Sequence, residues 1–422
     1  MSVLSHVKGL EILDSRGRPT VQAVCELESG ASGTASVPAG ASRGSAEALE
    51  LRDGDIRRFR GLGCRKAVDL INQELDQALS GRTFLSQDQF DRTLIELDGT
   101  HNKSRLGSNT VLALSLSFAR AAAAEESKAL YLYLSALCGS TPGTLPRPAI
   151  NLFSGGKHAG EQVSIQDVLV VPVSAGTISE TLSVTYEIYQ TAAELIARKY
   201  QMRTLRADEG GLAPPVSSPE QMIEDALQAI EEAGLQPGNE VAIAIDAASS
   251  QFYRGGCYHL GDRRLSSAAM VELLLEWLDK YPIISIEDGL SEEDWESWVS
   301  LRARAADRIW IVGDDLLCTH PSRIRRAAES TACNTLLLKV NQIGTLTEAA
   351  EALKLARSAG WNVIASARSG DTEDNWLADL AVGWSADQIK IGSITQSERL
   401  SKYNRLLALE EETGFPLKKD NK

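Results

Sequence analysis

The sequence predicts an α/β protein in two parts: a small α+β domain at residues 1–137, then a β/α barrel at 138–422. Three observations carry this reading. Short, β-branched apolar runs recur through the second part, each with a polar or charged residue at or near its C-terminal end. Most of the segments between them have the apolar density of helices. A stretch dense in Gly, Pro, Ser and Thr, C-G-S-T-P-G-T-L-P-R-P at 138–148, separates this region from what precedes it.

In the first part, T-V-Q-A-V-C-E-L (20–27) is followed by the turn cluster E-S-G-A-S-G and by T-A-S-V-P. This predicts an antiparallel hairpin. From about Ser45 to Ser135 the pattern turns helical, most clearly over 108–126, which is Ala-rich and apolar nearly all round. Such a segment is a buried helix.

In the second part the marked runs are V-A-I-A-I-D ending at Asp246, I-I-S-I-E-D with Glu287, and I-W-I-V-G-D-D with Asp314. They continue with T-L-L-L-K-V carrying Lys339, N-V-I-A-S-A-R ending at Arg368, and Q-I-K-I-G-S with Lys390. Runs of this kind are strands buried on both faces. T-L-T-E-A-A-E-A-L-K-L-A-R-S-A-G (345–360) opens with a Thr345/Glu348 capping box and closes on Gly360, and 267–278 is a second packed helix. Strand-helix alternation predicts a parallel barrel, whose chemistry gathers at the C-terminal strand ends. A doubly wound open sheet is the alternative, but no G-x-G-x-x-G follows an early strand.

The chain has 422 residues, 43% hydrophobic and 24% charged, with a net charge of -14. An acidic surface repels nucleic-acid polymers and anionic membranes, so small anionic substrates met by a local cationic cluster are the expected partners. No signal-peptide core and no membrane-length apolar run are present. The six cysteines are scattered without C-x-x-C, as expected of reduced thiols in a cytoplasmic protein.

Asp246, Glu287 and Asp314 lie on successive strands and should converge. Crowded buried carboxylates raise one another's pKa, and a hard dication resolves the repulsion; all-oxygen ligation selects Mg²⁺. Lys339, on the next strand, should act as a general base once a nearby dication disfavours its ammonium form. The competing reading is an ion pair with Asp315. A metal beside a lysine base suits removal of a proton α to a carboxylate. In R-A-D-E-G-G-L-A-P-P (206–215), Glu209 is a candidate acid for a leaving group. In G-G-K-H-A-G (155–160), His158 is a candidate phosphate contact. A-G-A-S-R-G (39–44) offers Ser42 and Arg43 to a neighbouring site, and Arg368-Ser369-Gly370 is an anion cradle.

These residues carry a resemblance that spans the chain. L-D-S-R-G-R-P-T (13–20), V-P-A-G-A-S-R-G (37–44), D-G-T-H-N-K-S-R-L-G (98–107), D-E-G-G (208–211), S-I-E-D (285–288), G-D-D-L (313–316), L-L-L-K-V-N-Q-I-G-T (336–345) and S-E-R-L-S-K-Y-N (397–404) resemble the enolase family, in order. The resemblance implies an N-terminal capping domain, a modified barrel and at least a homodimer. It implies one Mg²⁺ on Asp246, Glu287 and Asp314 and a second reached by Ser42. Lys339 would be the base and Glu209 the acid, with Lys390 on the substrate carboxylate. Arg368, Ser369 and His158 would hold the phosphate of 2-phosphoglycerate.

The departures sit around this site. Ala367 replaces the usual histidine of S-H-R-S-G, and Gln166-Asp167 replaces Gln-Glu, drawing the carboxyl that assists Glu209 back by a methylene. Arg43 replaces a threonine and Arg18 an asparagine. The expectation is a pocket with room at Ala367 and added charge at Arg43, suited to a larger or second anionic substrate. Enolase-like carboxyphosphonoenolpyruvate synthases of phosphonate antibiotic pathways join an enolpyruvyl unit to CMP-activated phosphonoformate, and this chain is expected to resemble them. Ordinary phosphopyruvate hydratase and a catalytically silent enolase fold are the alternatives.

Overall fold

The computed structural model describes residues 1–41, 43–305 and 307–419. The expected hairpin is present: Pro19–Leu27 pairs antiparallel with Ser32–Ser36. A strand not anticipated from the sequence, Ser2–Leu13, flanks it on the other side and also pairs with Thr83–Phe84. Helix Ser108–Glu125 lies on this sheet, buried along nearly its whole length. The contact is close enough to demand Gly33, where a Cβ would stand 2.2 Å from the carbonyl oxygen of Ser117.

Eight strands close the barrel: Arg147–Ser154, Asp167–Pro172, Val241–Asp246, Ile283–Glu287, Trp310–Gly313, Thr335–Leu338, Asn362–Ser366 and Gln388–Gly392. We refer to them as the first to eighth barrel strands. The last six are parallel to one another and to the first. The second runs antiparallel to both its neighbours, which corrects the expectation of an all-parallel barrel. The link 155–166 is a loop holding only one tight helical turn and no α-helix of the kind that usually carries a parallel crossover. Helices Ile178–Tyr200 and Pro219–Glu232 then both precede the third strand. The last residues of the Gly/Pro-rich stretch, Arg147 and Pro148, already belong to the first strand.

The predicted helices at 267–278 and 345–360 appear as Ser267–Lys280 and Leu346–Ser358. Thr345 caps the latter by accepting from the Glu348 amide, and its own hydroxyl meets the Glu348 carboxylate at 2.8 Å. Among the described residues no helix is long and apolar enough to cross a membrane.

Polar contacts bind the domains. Asp91, on helix Gln87–Asp98, accepts from the amide (2.9 Å) and hydroxyl (2.7 Å) of Thr347 at the start of a barrel helix. Lys103 pairs with Glu348 at 2.8 Å. Residues 37–41 and 43–47 of the first domain lie over the C-terminal mouth of the barrel, where Ala39 and Gly370 exchange backbone hydrogen bonds of 2.8 and 3.0 Å.

Candidate active site

The strand-end residues converge as the periodicity implied. Asp246 and Glu287 end the third and fourth strands; Asp314 and Lys339 follow directly on the fifth and sixth; Arg368 lies just past the seventh and Lys390 within the eighth. Lys339, Arg368 and Lys390 line one cleft with His158, Gln166, Glu209, Asp246, Ala367 and Ser369. All but Lys339 are buried, and the Lys339 side chain is 11% exposed.

Lys390 places its ammonium 2.7 Å from both Asp246 and Glu287. Burial opposes its charge, yet those two carboxylates hold its pKa well above the lysine range. Lys339 pairs with Asp314, not with Asp315. There too burial is outweighed, by Asp314 first, and the pKa is raised. Gln166 donates to Asp246 at 2.9 Å and is itself held by Gln251.

This wall carries more buried carboxylate than lysine can neutralise. Glu287 is pushed well above the carboxylate range by burial, then by Asp246 and Asp314. Asp288 is pushed up likewise, and Asp315 rises to about 8 under burial and the Asp314 charge. Surplus buried acid with oxygen-only donors fits a hard divalent cation. Among the described residues Asp288, Asp314 and Asp315 bring carboxylate oxygens within 4.8 Å of one another, and the expected trio does not form such a group. Lys390 sits between Asp246 and Glu287, while Lys339 draws Asp314 to itself. Asp288 is already engaged by the amides of Asp314 (3.0 Å) and Asp315 (2.8 Å), so its role is to hold that turn.

Across the mouth, Glu209 lies in the turn 208–211, anchored where Leu212 bridges Phe153 of the first strand. Asn151 donates to its carboxylate at 3.1 Å. His158, a candidate phosphate contact, has its ring between two carboxylates, 3.2 Å from Asp167 and 3.8 Å from Glu209. Ser154 fixes the other Asp167 oxygen at 2.6 Å. Burial works against a charged imidazole here, but Asp167 and Glu209 overcome it and raise the His158 pKa to about 9. Glu209 is pushed up by burial and down, more strongly, by His158, Arg399, Lys390 and Lys339, for a net lowering.

Arg368 does not stand open. Glu47 grips its guanidinium at 3.1 and 3.2 Å, and Asn341 accepts from it at 3.0 Å. Ser369 meets Arg16 at 3.3 Å and the Ala41 amide at 2.9 Å. Behind this loop the fully buried Arg399 donates to the carbonyls of Arg368 (2.7 Å) and Ser369 (2.6 Å). Glu47, Asn341, Gln342 and Arg399 escaped the sequence reading; Asn341, Gln342 and Arg399 lie inside quoted motifs, but none sits on the marked strand ends.

Two expectations need correcting. Arg43 does not line the cleft: its side chain is 43% exposed and pairs with Glu50, which also holds Arg52. The room expected at Ala367 is also absent, because the free volume between the lining side chains is about 20 Å³, the space of roughly one water. The lysine–carboxylate pairs and the Glu47–Arg368 pair draw the walls together. Ser42, expected on a second metal, lies outside the described residues.

A C-terminal barrel mouth with a lysine, a carboxylic acid and surplus acid under a capping α+β domain defines a barrel protein with its site at the strand ends. The family described as "Enolase, N-terminal domain" matches residues 4–134, and "Enolase, C-terminal TIM barrel domain" matches 142–418. The chain belongs to the enolase family and is an enolase-family enzyme.

Proposed function

We propose that the enzyme removes the proton α to the carboxylate of 2-phosphoglycerate and eliminates water. The observation that carries this is the pairing of Lys339 and Glu209 in one cleft, with the cations Lys390 and Arg368 between strand ends. Asp246, Glu287 and Asp314 would hold Mg²⁺, which supplies countercharge for a substrate carboxylate as it becomes an enolate. Ser42 is assigned to a second ion on the resemblance alone.

The protein's own groups divide the remaining work. Lys390 and Arg368 orient carboxylate and phosphate once their internal partners release them. Lys339, as free amine, takes the C2 proton, and Glu209, as carboxylic acid, gives a proton to the departing C3 hydroxyl, which leaves as water. At rest the two are in the opposite states, ammonium and carboxylate. His158 keeps a proton to about pH 9 beside Glu209, so it is the group placed to supply one. Asp167 and Ser154 orient that imidazole.

The finer reading is specialisation: the enolpyruvyl unit is joined to CMP-activated phosphonoformate, as in carboxyphosphonoenolpyruvate synthases. Ala367 supports it, since a methyl stands on the cleft wall beside the anion arm. The closed cleft and the outward Arg43 favour ordinary phosphopyruvate hydratase instead. Phosphorus NMR of the enzyme with 2-phosphoglycerate, the CMP conjugate and Mg²⁺ separates them. A new phosphonate-bearing product supports the synthase. Brisk phosphoenolpyruvate formation with the conjugate untouched supports the hydratase. The enzyme is proposed to work in the cytoplasm as a homodimer or larger homo-oligomer.

A further inference from the structure

The first domain brings its own anion to the site. Glu47 is 9% exposed and Arg368 4%. The two carboxylate oxygens of Glu47 meet the two terminal nitrogens of Arg368 at 3.1 and 3.2 Å. This is the fork-to-fork geometry by which an arginine binds a phosphate. With the pair closed, the cleft keeps about 20 Å³, far too little for a phosphate group. An anion entering here has to take over what Glu47 holds.

The carboxylate would not be stranded by that exchange. Glu47 also accepts from the Gly44 amide at 3.3 Å and from the Gln342 side chain at 3.2 Å. Both donors are independent of Arg368. Gln342 is itself fixed by the Thr319 hydroxyl at 2.8 Å, so it stays in place as a second partner.

We propose that Glu47 is a built-in competitor for the anion arm: it occupies the guanidinium fork that a substrate phosphate takes, and so sets the anion affinity of the site. The proposal rests on the reading of Arg368 as the anion arm. A clamp that merely orders Arg368 would make the opposite forecast, because loosening it should weaken anion binding. A competitor, once neutralised, should strengthen it, since a like charge beside the incoming anion is removed.

The test is calorimetric titration of the full-length enzyme with inorganic phosphate, comparing the parent with Glu47→Gln, Glu47→Asp and Arg368→Met. Glu47→Gln should bind phosphate at least tenfold more tightly. Glu47→Asp, with its carboxylate one methylene farther back, should fall between it and the parent, and decides the matter if the Gln variant fails to fold. With 2-phosphoglycerate, the KM of Glu47→Gln should fall by more than kcat changes. Phosphate binding equal to or weaker than the parent's in both Glu47 variants overturns the proposal. Unchanged binding in Arg368→Met overturns it together with the assignment of the arm. Tighter phosphate binding in an enzyme that never turns over 2-phosphoglycerate would uphold the competitor and discard the proposed reaction.

Discussion

Lys339 and Glu209 illustrate how a side chain's resting charge differs from its working charge. Lys339 is held as an ammonium by Asp314, and Glu209 as a carboxylate by the cations around it. Their roles predict different losses. Glu209→Gln should retain exchange of the C2 proton of 2-phosphoglycerate with solvent while losing overall turnover by roughly 10²-fold or more, because abstraction and hydroxide departure are separate events. Proton NMR in deuterium oxide, beside a phosphoenolpyruvate absorbance assay, checks this; parallel loss of both activities would remove Glu209 from the leaving-group role. Ala367→His places an imidazole on the wall next to Arg368 and should suppress any two-substrate reaction more than binding of 2-phosphoglycerate. Product analysis and titration calorimetry on that variant read the two effects separately.

At the scale of elements, the joint between the domains can be tested through Asp91. It is fully buried, and burial pushes its carboxyl up to about 6 despite the donors around it. A folded-state pKa above the unfolded one means that the fold binds the proton more tightly. The associated stabilisation is complete below about pH 4 and is lost as pH rises through 6. Parent stability relative to Asp91→Asn should therefore fall by roughly 2 kcal/mol between pH 4 and pH 7, given roughly 1.4 kcal/mol per pKa unit. Denaturant midpoints across that range measure it; a gap independent of pH would mean that Asp91 does not titrate there. Thr345→Ala, by contrast, removes a cap and should cost about 1 kcal/mol.

Over the whole molecule, the barrel was legible because buried strands ending in charged residues leave a strong pattern, and all six marked runs became strands. Its first two strands were not legible. Arg147–Ser154 hid behind prolines and glycines, and Asp167–Pro172 has no polar strand-end marker. The reversal of the second strand goes with a link that holds no α-helix, whose meaning depends on knowing that both flanking segments are strands. At the site, the residue types were readable but their partners were not. Nothing in R-G-S-A-E-A (43–48) announces that Glu47 will grip Arg368 while Arg43 turns to Glu50. Those choices depend on how two domains meet. The surplus acid at the mouth is likewise a property of the assembled barrel, and it makes metal binding a stability question. Mg²⁺ at 100 times its Kd should stabilise the parent by about 2.7 kcal/mol. Glu287→Gln should lose that increment in thermal denaturation. A variant that responds to Mg²⁺ as the parent does would move the metal away from the fourth strand.

The central claim is that Lys339 takes the proton α to the substrate carboxylate. Its most direct measurement is exchange of the C2 proton of 2-phosphoglycerate with deuterium oxide, followed by proton NMR with Mg²⁺ present, in the parent and in Lys339→Ala. The account predicts exchange in the parent and loss of at least 10²-fold in the variant, the lower range for a positioned general base. Undiminished exchange in Lys339→Ala, or none in a folded, Mg²⁺-responsive parent, would contradict it.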